Sequence, residues 1–253
     1  MIALIPARLD AHRLPAKPLS LLGGAPLIVR VCENAAASGV FSRIVVASDS
    51  ESVIDVVIDA GFEGVVSVQQ HESGTDRVAA AARQLVLPQD SRIINVQGDE
   101  PFVEAACLEA LASELARSPN AVITPRVKID DQPTLRDPNA VKVVCGTDAQ
   151  ALYFSRASIP YVRDRAETEC SSQHFRHIGV YGYTMRVLQR IASLPTHPLE
   201  EIEKLEQLRW LAQGEVIRCP IVGQSARGVD TAQDLIAANI EYDRRQLQAK
   251  AEG

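Results

Sequence analysis

The chain reads as an α/β protein built on a mainly parallel, doubly wound sheet. Three observations predict it. Short apolar strands alternate with amphipathic helices from residue 2 to residue 127. Helix punctuation falls between the strands: Pro26, Ser48-Asp49-Ser50 with Gly61, then Ser73. Two strand ends carry glycine beside aspartate, in Gly98-Asp99 and Gly228-Val229-Asp230, at the edge where open α/β sheets take their ligands. The 253 residues are 46% hydrophobic and 23% charged, an ordinary globular composition, and read as one domain over 1–253. The net charge of -6 argues against a general nucleic-acid binder. No apolar run reaches membrane-spanning length, and no leader precedes the first strand. Five scattered cysteines without a C-x-x-C pair fit a reducing cytoplasm, with neither a zinc site nor a disulfide framework.

Ile2 to Pro6 is the first strand. The loop after it, Ala7 to Leu19, is stiffened by Pro15 and Pro18 and carries Arg8, Arg13 and Lys17. Those cations are placed to surround a phosphate chain; the alternative is a solvated basic loop. Gly23-Gly24 predicts a turn, and residues 26–38 a helix with Leu27, Val31 and Ala35 on one face. A strand over 43–47, a helix over 51–60 and a strand over 65–68 follow. Ser73-Gly74-Thr75-Asp76-Arg77 opens a helix to about Leu85, with backbone donors and acceptors at its start. Arg77 in a first helical turn runs against the helix dipole, as a residue placed for an anion would.

Ile93, Ile94 and Val96 form the central strand, and Gln97-Gly98-Asp99 follows at its carboxyl end. Asp99 either holds a metal ion there or caps the next helix. That helix spans 102–117, and a strand spans 121–127. The alternation then breaks. Residues 128–184 read as an excursion that carries the subunit interface, with strands over 140–145 and 177–183 and a polar loop over 163–173. Leu199, Ile202, Leu205, Leu208 and Leu211 predict one helix over 199–213. A strand over 216–222 and a helix over 232 to about 247 complete the chain, with a frayed tail beyond Gln248.

Ten stretches, in order along the chain, resemble the 3-deoxy-manno-octulosonate cytidylyltransferase family. They are Ile5-Pro6-Ala7-Arg8, Arg13-Leu14-Pro15, Lys17-Pro18-Leu19, Ser73-Gly74-Thr75-Asp76-Arg77 and Asn95-Val96-Gln97-Gly98-Asp99-Glu100-Pro101, then residues 138–144, 151–156, 176–181, 205–209 and 228–231. The resemblance implies a nucleotide-diphospho-sugar-transferase-like fold and a homodimer. It implies that CTP and the sugar acid Kdo give CMP-Kdo and pyrophosphate for lipopolysaccharide synthesis, with Mg²⁺ as cofactor. It further implies that Asp99 and Asp230 hold the metal and that Arg8 and Lys17 act on the triphosphate. Ala7, Arg8, Lys17, Ser73, Gly74, Gln97 and Asp99 would bind the nucleotide. Arg77 would take the sugar carboxylate, and His177, Tyr183, Glu206 and Gln207 its hydroxyls.

Ala11-His12 stand where the family commonly has small hydroxyl residues, and Ala16 where it has glycine. Ala16 therefore predicts a backbone without glycine-specific angles. Two readings compete with Kdo. One is a cytidylyltransferase for a related acid, 8-amino-Kdo or a sialic acid. The other is a nucleotide-sugar glycosyltransferase, whose typical Asp-x-Asp metal motif is missing from Asp99-Glu100-Pro101.

Overall fold

The computed structural model describes residues 1–9, 13–67, 73–163, 170, 172–223 and 228–252. Ala11 and His12 lie outside them. The fold is α/β, as the alternation predicts, and the chain forms two compact units. The first comprises Ile2–Leu85, Asn95–Ala105 and Ala226–Gly253; the second comprises Met1, Val86–Ile94 and Ala106–Ser225.

In the first unit, strands Ile2–Ala7, Arg43–Ser48 and Glu63–Val66 pair in parallel, with Leu4 opposite Val45 and Val46 opposite Gly64. Ala3, Leu4 and Ile5 are all fully buried although successive residues face opposite sides, so both faces of the strand are covered. Helices Leu27–Ala37, Glu51–Asp59 and Gly74–Gln84 each bury one apolar side. The segment after Asn95 runs beside the first strand, where the Val96 amide donates to the Leu4 carbonyl at 3.2 Å. Strands Leu21–Leu22 and Ala25–Pro26 form a hairpin whose turn needs positive φ at Gly23 and Gly24. The last helix, Ala232–Glu252, continues past Gln248, where fraying was expected. Val229 and Ala238 pack with Leu22, Leu27 and Phe102 to close this unit's core.

The second unit departs from the sequence reading at several places. The strand expected over 121–127 is two strands, Val122–Ile123 and Arg126–Lys128. That expected over 177–183 is Phe175–His177 and Tyr181–Thr184. In both cases the halves join different sheets. One sheet carries, in order, Ile217–Arg218, Val122–Ile123, Tyr181–Thr184 and Arg92–Asn95; the other carries Ala151–Ser155, Lys142–Cys145, Phe175–His177 and Arg126–Lys128. The switch has a local cause. Pro125 has no N–H to continue a ladder, and Thr124 Oγ1 lies 2.9 Å from both the Ile178 and the Val180 carbonyl oxygens.

The sequence reading also missed strand Ala151–Ser155 and helices Gln132–Arg136 and Met185–Ala192. The single helix expected over 199–213 is broken into Pro198–Glu203 and Gln207–Ala212 by Lys204, which takes a left-handed conformation at φ 54°. Its apolar stripe does not face one way: Leu205 is buried, whereas Ile202 is 78% exposed. Among the described residues no helix is long and apolar enough to cross a membrane.

Candidate active site

The first unit contains a cleft of about 340 Å³ at the carboxyl end of its first strand. Pro6, Ala7 and Arg8 line it as the chain leaves that strand, and Gln97, Gly98 and Asp99 line it from the parallel segment. This is the edge at which an open α/β sheet presents its ligand crevice. Arg13, Lys17, Ser73, Gly74, Arg77 and Asp230 complete the wall. Every residue expected to touch the nucleotide is therefore in one cleft, and four cations face two carboxylates there.

Asp99 and Asp230 are brought together by backbone. The Val229 amide donates to the Asp99 carbonyl at 2.8 Å, which stitches the turn after Asn95 to the start of the last helix. The approach leaves little space. A Cβ on Gly228 would lie 3.3 Å from the Asp99 carbonyl oxygen, and one on Gly98 would lie 2.7 Å from the Pro6 carbonyl oxygen. Gly98 thus serves close packing, since nothing larger fits against that carbonyl.

Neither carboxylate is spent on capping. Helix Ala105–Arg117 starts well after Asp99, which removes the capping alternative for it. At the last helix, Asp234 Oδ2 accepts from the Asp230 amide at 3.1 Å and from the Thr231 amide at 2.8 Å, while Thr231 Oγ1 accepts from the Asp234 amide. That reciprocal cap leaves the Asp230 carboxylate free of the helix end. It points instead at Lys17, whose Nζ lies 3.1 Å from Asp230 Oδ1 and 2.5 Å from Asp99 Oδ2. Arg13 approaches Asp230 from the other side at 3.3 Å.

Lys17 is delivered by a short turn, Lys17–Leu19, whose preceding residue corrects an expectation. Ala16 adopts φ 50° and ψ 34°, the left-handed region that favours glycine. The turn requires it, because the Leu19 amide donates to the Ala16 carbonyl at 2.9 Å. An L-residue there costs about 1–2 kcal/mol, and glycine gives back about 0.4–1 kcal/mol through unfolded-chain entropy. Ala16→Gly is therefore expected to raise Tm by about 1–3 °C with kcat unchanged. A lower Tm in a thermal scan would contradict the strained turn.

Ser73 is the N-cap of helix Gly74–Gln84: its Oγ accepts from the Asp76 amide at 3.1 Å and donates to Asp76 Oδ2 at 2.9 Å. The hydroxyl is thus occupied locally, and the backbone of Ser73 and Gly74 is what the cleft sees. Arg77, 6% exposed, gives NH2 to Asp49 Oδ2 at 2.8 Å. Its NH1 is buried without a hydrogen-bond partner among the described residues.

Asp49 is the residue that sequence reasoning missed. Its Oδ1 accepts from the Leu9 amide at 3.1 Å, so one carboxylate positions both the basic loop and Arg77. It follows strand Arg43–Ser48 directly, and the strand-end rule that singled out Asp99 would have found it.

His177, Tyr183, Glu206 and Gln207 lie in the second unit. The His177 ring packs edge-on to Phe154 and bonds Thr124 Oγ1 at 2.8 Å. Burial, with a smaller push from Arg176, lowers its pKa to about 3. The expected contact with a sugar hydroxyl would therefore be made by a neutral imidazole. Tyr183 and Gln207 are likewise buried, and Glu206 lies 3.6 Å from Arg209.

The profile of the family described as cytidylyltransferase matches residues 2–217. The chain belongs to that family. A 3-deoxy-manno-octulosonate cytidylyltransferase from Gemmatimonas aurantiaca is 45% identical over 248 residues, which is 96% of this chain and 94% of that protein. A solved structure of a CMP:2-keto-3-deoxy-manno-octonic acid synthetase complexed with CTP superimposes with a TM-score of 0.88 at 34% identity. It spans 96% of this chain and 98% of that one. This cytidylyltransferase is accordingly a nucleotidyl-transferring enzyme, and the glycosyltransferase alternative is not favoured.

Proposed function

We propose that this cytidylyltransferase activates Kdo with CTP, releasing CMP-Kdo and pyrophosphate for lipopolysaccharide synthesis. The observation that carries the reading is the Lys17 ammonium held between Asp99 and Asp230 in a cleft lined by Arg8, Arg13 and Arg77. The closeness in sequence to the Gemmatimonas aurantiaca enzyme supports the choice of sugar acid.

The anomeric hydroxyl of Kdo attacks the α-phosphorus of CTP. A new P–O bond forms as the bond to the β-phosphate bridging oxygen breaks, the hydroxyl proton passes to water, and pyrophosphate leaves. Arg8, Arg13 and Lys17 bind the phosphate chain and neutralise its charge. The Ser73-Gly74 backbone meets the edge of cytosine, where amide and carbonyl groups distinguish its amine from the oxygen of uracil. Arg77, held in place by Asp49, supplies positive charge for the sugar carboxylate. Alignment of hydroxyl, phosphorus and leaving oxygen supplies much of the acceleration.

The two carboxylates fit Mg²⁺, which prefers one or two carboxylates with phosphate oxygens and water. The Lys17 ammonium lies between the two carboxylates, which supports a cation there. Asp99 and Asp230 would hold the ion, which when bound supplies charge neutralisation and lowers the pKa of the attacking hydroxyl.

Pyrophosphate release over a grid of four nucleoside triphosphates and several sugar acids tests the proposal. CTP with Kdo is expected to exceed ATP or GTP, and 8-amino-Kdo or sialic acid, by at least about tenfold, a discrimination of about 1.4 kcal/mol. Equal turnover with ATP would sink it. The same reading includes cytoplasmic residence, where five free thiols persist, and a two-fold homodimer through the 128–184 region. Light scattering at micromolar concentration should give twice the 27.5 kDa chain mass, and a monomer mass would refute the dimer.

A further inference from the structure

The last helix, Ala232–Glu252, is tied to both partners of the Lys17 ion pairs, and all of the residues involved belong to the first unit. At its start, Asp234 holds the Asp230 and Thr231 amides. Further along, Asn239 meets the hairpin that follows Lys17. Its Oδ1 accepts from the Gly23 amide at 2.9 Å, and its Nδ2 donates to the Leu21 carbonyl at 3.2 Å and to the Leu235 carbonyl at 3.0 Å. The side-chain amide thus serves one donor and one acceptor of the hairpin, as a neighbouring strand would. Tyr242 lies one turn beyond. A Cβ on Gly23 would collide with its ring, so the hairpin turn rests directly against it.

A second side chain grips the same hairpin from helix Leu27–Ala37. Arg30 Nε donates to the Leu22 carbonyl at 3.0 Å and its NH2 to the Gly23 carbonyl at 2.5 Å, while the guanidinium lies 4.6 Å from the Tyr242 ring centroid. Two side chains therefore hold four backbone polar groups of residues 21–23. Short backbone bonds pass that hold to Lys17. The Leu27 amide donates to the Ser20 carbonyl at 2.8 Å, and the Ser20 amide to the Lys17 carbonyl at 3.1 Å. Leu22, Phe102 and Val229, each a few residues from Lys17, Asp99 or Asp230, pack with Ala238 and Tyr242 in one cluster. Ala16 makes the Lys17 turn against its own backbone preference, and such a conformation persists only where its surroundings over-determine it.

We propose that Asn239 is a positioning residue for nucleotidyl transfer: through the hairpin it fixes the Lys17 ammonium relative to Asp99 and Asp230. The inference rests on the role given above to Lys17. Asn239 itself does not line the cleft. One rod carries Asp230 at its start and grips the hairpin at Asn239, so it sets the spacing of the charges on either side. The reaction needs such a device. A lysine stem is flexible, so precision at the ammonium has to come from the backbone of residues 16–19. A misplacement of about 1 Å can cost about a hundredfold in rate. Asparagine is also a weak helix former, and its place inside a helix is unfavourable without the bonds its side chain makes to the hairpin.

Steady-state pyrophosphate release by the full-length protein tests the proposal, with amine labelling beside it. Asn239→Ala should fold, because alanine is the better helix former and the freed Leu21 carbonyl reaches water. Its kcat is expected to fall about tenfold with KM for Kdo unchanged, as displacement of a group that acts on the triphosphate would give. Asn239→Ala combined with Lys17→Met should be no slower than Lys17→Met alone, because Asn239 acts only through the ammonium. A merely structural role would add its own loss to that of Lys17→Met. Reductive methylation mapped by mass spectrometry reads the position without turnover. Lys17, 16% exposed in its ion pairs, should react faster in Asn239→Ala, relative to Lys128, which is 53% exposed. Should Asn239→Ala fail to fold, Arg30→Met, which frees the Leu22 and Gly23 carbonyls, is read in the same way. Wild-type kcat, a further loss on top of Lys17→Met, or unchanged labelling of Lys17 would overturn the proposal. If Lys17→Met itself kept normal turnover, the role of Lys17 would fall instead, and the labelling would decide whether Asn239 holds it in place.

Discussion

Asp99→Asn and Asp230→Asn are each expected to lower kcat by at least about a hundredfold, the scale seen when a preorganised electrostatic group is removed from a site of charge transfer. Asparagine keeps the size of the side chain and its capacity to accept a hydrogen bond from Lys17, so what is lost is one negative charge. The double variant is expected to be hardly slower than either single one, because residues that act as one unit are not additive. The structure sharpens the contrast with a purely structural role. The Asp99 and Asp230 side chains cap no helix, since Thr231 and Asp234 cap the last one. Asp230 is 46% exposed, and its pair with Arg13 contributes little to stability.

From sequence alone, two adjacent carboxylates would repel, and neutralising one would leave Tm unchanged or raise it. The Lys17 ammonium between them reverses that sign, so Tm should fall slightly, by a few degrees at most. Pyrophosphate release at saturating Mg²⁺, with a thermal scan beside it, measures both quantities. Near-normal turnover of Asp230→Asn would end the two-carboxylate reading.

Lys17→Met is expected to lower kcat by about a hundredfold to a thousandfold, and to change the response to cations in the opposite sense. The ammonium, 16% exposed, contacts the two carboxylates proposed to hold a divalent ion. It competes for the same oxygens. Among the described residues, removing it leaves only Arg13, paired with Asp230, as counter-charge for two close carboxylates, so Tm without metal should fall. Adding Mg²⁺ should then raise Tm more in Lys17→Met than in the wild type, because an ion that binds only the folded state stabilises it by mass action. The two readouts separate the roles of Lys17. Loss of turnover reports its work on the triphosphate, and the gain in cation response reports the shared carboxylate pair. A variant with poor turnover and no gain in cation response would show that Asp99 and Asp230 do not form a cation site.

The sequence by itself determined the α/β class and the cleft. Ala3-Leu4-Ile5 reads as a strand, and Gly98-Asp99 as the turn at the carboxyl end of the central one, because both readings follow from local periodicity and from glycine's lack of a side chain. The order Arg8, Arg13, Lys17 after the first strand was equally legible. Tertiary structure alone decided three things. It placed Lys17 between two aspartates that are more than a hundred residues apart, through a backbone bond from Val229 to Asp99 that no local pattern announces. It put Ala16 in a left-handed turn that its side chain disfavours, because the Lys17–Leu19 turn and the ion pairs beyond it outweigh that local preference. And it enclosed His177 among Phe154, Tyr181 and Thr124 as a neutral ring. A histidine on an alternating strand has the same sequence signature whether it faces water, ligand or core. Only the path of the chain at Thr124-Pro125, which sends neighbouring strands into different sheets, settles which it meets.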